Sequence, residues 1–272
     1  CNTMGTASTM NALTEALGMM LPGTGNIPAP WRARMEAAYK TGQRIVEMAH
    51  EDLCPSQIIT KAALHNVIRV NTAIGGSTNA PIHFAAIARH AGVDLDVREW
   101  QEIGYDLPLM VNMQPAGEYL GEDYQRAGAT AAVMGELLAA GILDGAPLRV
   151  SGKTVAEDYA EARSENTEVI KTPADPMREK AGFLVISGNL FDSALMKTSV
   201  ISAQFQEKFL SRPGSEGVCE ARAIVFEGPE DYHDNINNPD LAIDEGCMLF
   251  IRGVGPVGYP GGAEVVNMQP PD

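Results

Sequence analysis

SGKTVAEDYAEARSENTEVIKTPADPMREK, residues 151–180, separates two parts of the chain with different patterns. It carries Glu157, Asp158, Glu161 and Glu165, prolines at 173 and 176, and few large apolar side chains. That composition suits a segment that connects domains better than one that fills a core. Upstream, apolar residues recur at helical spacing; downstream they come in short continuous runs. The expected organisation is a layered α/β domain over residues 1–165, a linker over 166–182 and a β-rich domain over 183–272 that is incomplete at its C-terminus.

On the N-terminal side, Met10, Leu13, Leu17, Met20 and Leu21 follow a polar start at residues 6–9, and Pro22-Gly23 ends the run. This spacing predicts a helix with Cys1 in the loop before it. A second helix is expected over residues 32–48. A third starts near Pro55, a residue suited to a first helical turn, and turns Ile58, Ile59, Ala62 and Ile68 inward. A fourth follows Gly75-Gly76-Ser77-Thr78-Asn79, capped by Ser77 or Thr78, burying Ile82, Ala86 and Ile87 and closed by Gly92. Leu109-Met110-Val111 reads as a short buried strand, and helices return over residues 123–140. On the C-terminal side residues 183–186, 223–226 and 248–251 read as strands between glycine-rich turns, with a helix over 229–236.

A chain of 272 residues can bury one large core or two ordinary ones. With 45% hydrophobic and 20% charged residues it is neither disordered nor fibrous. The net charge of -15, from 35 acids and 20 bases, repels polyanions and excludes nucleic acid as a partner. A small acid substrate would need a local cation or a bound metal to hold it against that field. No stretch is apolar enough for a bilayer and no signal peptide opens the chain, so a cytoplasmic protein without a membrane partner is expected. Cys1, Cys54, Cys219 and Cys247 lack C-x-x-C spacing, which suits reduced thiols. A start at cysteine and a loop-like end in Met268-Gln269-Pro270-Pro271-Asp272 lead us to expect a fragment.

Two nucleotide-like motifs fail on their context. Gly152-Lys153-Thr154 lacks the upstream glycine of a phosphate loop, where Pro147 stands. Gly253-Val254-Gly255-Pro256-Val257-Gly258 fits G-x-G-x-x-G, but Tyr259-Pro260-Gly261-Gly262 cannot open the helix that would receive a pyrophosphate. Glu264, among Ala263, Val265 and Val266, reads either as a solvated carboxylate or as a metal ligand. Cys1 at a helix start favours the thiolate, leaving open a cluster ligand, a nucleophile activated by its own amine, a lipid-bearing cysteine or a structural thiol. His83, His65 and Cys54 read as structural, with no obvious partner for His65. Ser77, Thr78 and Asn79 can cap a helix or donate to an anion, and a non-catalytic small-anion binding module is the alternative of another class.

Taken in order, several segments form a recognisable series. They are Cys1-Asn2-Thr3-Met4-Gly5-Thr6-Ala7-Ser8-Thr9-Met10-Asn11 with Glu15-Ala16-Leu17-Gly18-Met19, then Thr41-Gly42, Pro55-Ser56 and Ala73-Ile74-Gly75-Gly76-Ser77-Thr78-Asn79. Gly152-Lys153-Thr154, Gly188-Asn189-Leu190, Val225-Phe226-Glu227-Gly228 and Arg252-Gly253-x-Gly255-Pro256 continue the series over essentially the whole chain, and together these segments resemble the dihydroxy-acid and sugar-acid dehydratase family. The resemblance implies an α/β fold class in which a layered α/β domain carries cluster cysteines and a smaller β-barrel-like domain completes the site. It makes Cys1 a ligand of an iron–sulfur cluster, [2Fe-2S] or alternatively [4Fe-4S], and Glu264 a ligand of Mg2+. It implies a homo-oligomer that removes water from a small 2,3-dihydroxy acid to give a 2-keto acid, iron acting as Lewis acid on the leaving hydroxyl and magnesium holding the carboxylate and C2 oxygen. Gly258-Tyr259-Pro260-Gly261 and Glu227-Gly228-Pro229-Glu230-Asp231-Tyr232 look like the sugar-acid branch, so arabinonate, xylonate or gluconate is expected. The branched-chain amino-acid enzyme is the alternative. In the family the other two cluster cysteines and the remaining magnesium ligands, including a modified lysine, lie upstream of the position of Cys1, and the serine base lies downstream of Asp272. None of Cys54, Cys219 or Cys247 sits in a matching motif, and the chain alone is expected to be inactive.

Overall fold

The computed structural model describes residues 2–189, 192–254 and 271. The chain divides into two units, Cys1–Val200 and Ile201–Asp272. The first unit is built from α1 (Thr6–Ala16), α2 (Arg32–Glu51), α3 (Pro55–Ile58), α4 (Lys61–Ala73), α5 (Ala80–His90), α6 (Glu99–Gly104), α7 (Gly121–Arg126), α8 (Ala129–Ala139) and α9 (Val155–Tyr159). It ends in an antiparallel pair, β1 (Phe183–Ile186) with β2 (Ala194–Lys197). At its centre is α4, where Ala63, Leu64, Val67, Ile68 and Val70 have no exposed surface. A helix apolar on so much of its circumference must be covered on several sides, and α1, α5, α6 and α8 all pack on it.

The helices are shorter than their apolar periodicity predicts, and each break has a local cause. α1 stops at Ala16 and does not reach Leu21, because Gly18 takes φ +92°. The helix expected from Pro55 is two helices: Ile59 and Thr60 leave the helical region, and the Thr60 hydroxyl accepts the Ala63 N–H at 3.2 Å to start α4. The run over 123–140 is split by Gly128 at φ +103°. In α5 the buried positions are Ala80, Pro81, Phe84 and Ala88, while Ile82 and Ile87 are half-buried and Ala86 is exposed. Phe84, the largest apolar side chain of that helix, sets the inward face. Gly92, at φ +72°, follows the end of α5 as expected.

Leu109, Met110 and Val111 are fully buried and extended. Their backbone pairs with residues 169–178: the N–H of Lys171 donates to Met110 O at 2.8 Å, Asn112 N–H to Val169 O at 2.9 Å, and Leu109 N–H to Arg178 O at 2.9 Å. Buried backbone groups need such partners. The stretch read as a linker is therefore laid along the first unit, with Val169 and Ile170 in the core.

In the second unit α10 (Ala203–Phe205) runs into a π turn at Gln206–Leu210, and β3 (Arg222–Phe226) lies parallel to β4 (Cys247–Ile251). Parallel strands need a long crossover, which here holds α11 (Pro229–Asn235) and a 3-10 turn at Pro239–Leu241. Ile224, Phe226, Tyr232 and Ile236 form its core, with the Phe226 and Tyr232 rings edge to face at 5.0 Å. Among the described residues the strands make two two-stranded sheets and no closed barrel. No described helix is long and apolar enough to cross a membrane.

Candidate functional site

Cys1 and Glu264, the two expected ligands, lie outside the described residues. The residues that follow Cys1 are described, and they are tightly held. Asn2 O accepts the Gly121 N–H at 2.9 Å, and the N–H of Met4, itself buried, donates to Gln114 O at 2.7 Å. The first turn of α1 is tied to the Gly75–Asn79 segment through hydroxyls and an amide. Thr6 Oγ1 lies 3.1 Å from Ser77 Oγ and accepts from Asn79 Nδ2 at 2.9 Å; Thr9 Oγ1 accepts the Ser77 N–H at 3.1 Å. The cap position of α5 is Asn79, just past the expected Ser77 or Thr78, and the Ser77 hydroxyl takes the Asn79 N–H at 3.2 Å. Gly75 sits at φ +62° where a Cβ would come within 2.9 Å of Leu109 Cδ1, and a Cβ on Gly76 would run into the Asn71 side chain. Only glycines let this turn lie against the core.

Lys197, the last residue of β2, reaches the same turn: its Nζ donates to Gly75 O at 2.7 Å. The hairpin that carries it is fixed on α6, where Phe183, opposite Lys197 in register, stacks on Trp100 at 5.9 Å and the Val185 N–H donates to Gln101 Oε1 at 2.7 Å. Burial pulls the Lys197 ammonium down to about 8. Ser199 is 1% exposed, and its Oγ, like Asn71 Oδ1, has no hydrogen-bond partner among the described residues. A cavity of about 130 Å³ opens beside the chain start, bordered by Asn2, Ala7, Asn11, Asn26, Met113 and Tyr124.

The other end of α1 carries a closed ionic network that the sequence reading did not single out. Glu15, 1% exposed, accepts the N–H groups of Gly23 and Gly25 at 2.7 and 2.9 Å and the Tyr159 hydroxyl at 3.0 Å. Arg149, with no exposed surface, donates to Asp158 at 3.0 Å, to the carbonyls of Glu15 and Met20 at 2.8 and 3.2 Å, and to the Tyr159 oxygen at 2.5 Å. Burial pushes the Glu15 carboxyl up, opposed by the Gly23 and Gly25 N–H groups, Arg149 and Tyr159. Burial, then the Glu15 charge, holds the Tyr159 hydroxyl well above its ordinary value. The available signal was an arginine set between Leu148 and Val150 in an otherwise apolar run.

His65 does have a partner: its Nε2 lies 2.8 Å from Glu99, which also pairs with Lys61 at 2.5 Å. His83 and Cys54 are exposed, and Cys219 and Cys247 are half-buried free thiols in the second unit. Gly152 makes a turn at φ +81°, and Thr154 caps α9 in a capping box with Glu157, which accounts for the Gly-Lys-Thr motif without a phosphate. Among the described residues no three His, Cys, Asp or Glu side chains gather, so these residues alone compose neither a cluster site nor a magnesium site.

Comparison with known proteins gives the family. The D-xylonate dehydratase of Caulobacter vibrioides is 58% identical over 272 residues, all of this chain and 46% of the relative. The L-arabinonate dehydratase of Rhizobium leguminosarum bv. trifolii is 43% identical over 258 residues, 94% of this chain and 43% of the relative. A dihydroxy-acid dehydratase of Caldanaerobacter subterraneus is 38% identical over 268 residues, 98% of this chain and 46% of the relative. The chain thus spans under half the length of these curated relatives. The family model for the dihydroxy-acid/6-phosphogluconate dehydratase N-terminal region matches residues 1–158, and that for the C-terminal region matches residues 168–272. With both halves matched in order, the chain belongs to the dihydroxy-acid/6-phosphogluconate dehydratase family.

Proposed function

We propose that this chain is part of a sugar-acid dehydratase that acts on an aldonate such as xylonate, arabinonate or gluconate. The reaction takes the proton from C2 and the hydroxyl from C3 as one water, and the enol left behind tautomerises to the 2-keto-3-deoxy acid. The observation that carries the reading is the 58% identity to a D-xylonate dehydratase across every residue of the chain, against 38% to a dihydroxy-acid dehydratase. The second value, over 98% of the chain, supports the branched-chain enzyme as the second reading.

The cofactors belong to the same proposal: an iron–sulfur cluster, [2Fe-2S] with [4Fe-4S] as the alternative, taking one thiolate from Cys1, and Mg2+ held in part by Glu264. The ties that fix Asn2, Met4 and Thr6 hold the residues that follow Cys1 in place, which supports a ligand there. A homo-oligomer in the cytoplasm, with a barrel-like second domain, completes the proposal. One thiolate and one carboxylate do not make the site, so the 272-residue chain alone is inactive.

The test is anaerobic turnover with magnesium by the full gene product that carries this chain, assaying 2-keto acid from D-xylonate, L-arabinonate, D-gluconate and 2,3-dihydroxyisovalerate with iron quantified. Conversion of a sugar acid by an iron-containing protein, and none by the 272-residue chain, is expected. Conversion of the branched acid alone would move the reading to that enzyme, and no product from iron-replete protein would remove it.

A further inference from the structure

An acid substrate approaching a chain of net charge -15 needs a cation that is not already neutralised. Several cations of the first unit have carboxylate partners: Arg44 pairs with Glu47 and Glu51, Lys61 with Glu99, Arg149 with Asp158, and Lys180 with Asp106. Lys197 is different. It is half-buried, its hydrogen-bond partner is the carbonyl of Gly75 at 2.7 Å, and no carboxylate of the described residues lies within ion-pair distance. Burial is what lowers the pKa of its ammonium, and no carboxylate of the described residues offsets it. An ammonium has three donors, of which the Gly75 carbonyl takes one. Removing such a charge from water without a counter-charge is costly, and an aliphatic side chain would fill the same space without that cost. Ser199 adds a buried hydroxyl without a partner among the described residues, with its Oγ 3.9 Å from where a Gly75 Cβ would stand. The turn they share is the one tied to the first turn of α1, a few residues from Cys1.

We infer that Lys197 binds the carboxylate of the substrate, sharing it with the proposed Mg2+, with the Ser199 hydroxyl near the same Gly75 turn as a further donor. The inference rests on the reading of the protein as a sugar-acid dehydratase. It assigns this chain a group for substrate binding that is separate from the expected metal ligands. Because the ammonium loses its proton near pH 8, binding of the acid weakens on the alkaline side of that value.

The experiment compares the full gene product with K197M, K197R and S199A on D-xylonate, measuring KM and kcat across pH, iron content and direct binding by calorimetry. K197M raises KM by roughly 30-fold or more, the scale expected when one partner of a desolvated charge pair is removed, with iron content unchanged. S199A raises KM by about 2- to 10-fold, the loss of one hydrogen bond. K197R stays within about 5-fold and abolishes the rise in KM near pH 8, because guanidinium does not titrate there. An unchanged KM in K197M overturns the inference. So does an alkaline rise in KM that K197R leaves at the wild-type pH, a result that decides even where K197M does not fold. Wild-type protein that neither binds nor converts any aldonate would instead sink the dehydratase reading itself.

Discussion

At its C-terminal end α1 delivers Glu15 into a network where each charge is answered: two backbone N–H groups and a tyrosine on Glu15, and Asp158, two carbonyls and Tyr159 around Arg149. At its N-terminal end the hydroxyls of Thr6, Thr9 and Ser77 interlock, yet the neighbouring Gly75 turn meets a lysine without a counter-ion and a serine without a partner. One helix is thus held at both ends by buried polar groups, saturated at one end and unsaturated at the other. A saturated network spends its hydrogen-bonding capacity on the fold, whereas an unsaturated one keeps capacity for something that binds.

The largest expected effect is at the saturated end. R149M would leave Glu15 and Asp158 buried without their cation, and urea unfolding should show a loss of about 3–5 kcal/mol. A loss under about 1 kcal/mol would mean that the network is not the lock described, since surface substitutions already span that scale. T6V removes the hydroxyl between Ser77 and Asn79 and should cost about 1–2 kcal/mol in the same assay. Glu15 gives a pH test of smaller size. Its pKa is raised from the ordinary 4.5, so its contribution to stability is fully present below that value and is lost as pH rises through the higher folded value. E15Q should flatten that part of the stability–pH curve while keeping an acceptor for one glycine N–H. K197M should have the smallest effect on stability, within about 1 kcal/mol, because a half-buried ammonium without a counter-ion adds little to the fold. A destabilisation as large as that of R149M would erase the distinction between the two ends.

The strands at 183–186, 223–226 and 248–251 and the helix from Pro229 were legible because short apolar runs and a proline in the first turn are local signals. The breaks at Thr60 and Gly128 were not, since apolar periodicity runs straight through them and the stop comes from one capping side chain and one left-handed glycine. The ionic network was hidden for another reason: Arg149 and Tyr159 meet Glu15 across separations of 134 and 144 residues. His65 likewise found Glu99, 34 residues away. Lys197 ends a short strand whose alternation says nothing of its charge environment. Cys1 gained its expected role, and Glu264 its own, from family resemblance, because spacing alone left each open to an ordinary structural reading.

The most direct test of the claim that the N-terminal end of α1 is the reactive end is Cys1→Ser in the full gene product, read by iron per chain and visible absorption. The predicted result is loss of cluster iron and of sugar-acid turnover with the urea midpoint close to wild type. Retention of wild-type iron and turnover would make Cys1 an ordinary thiol and move the reactive end elsewhere.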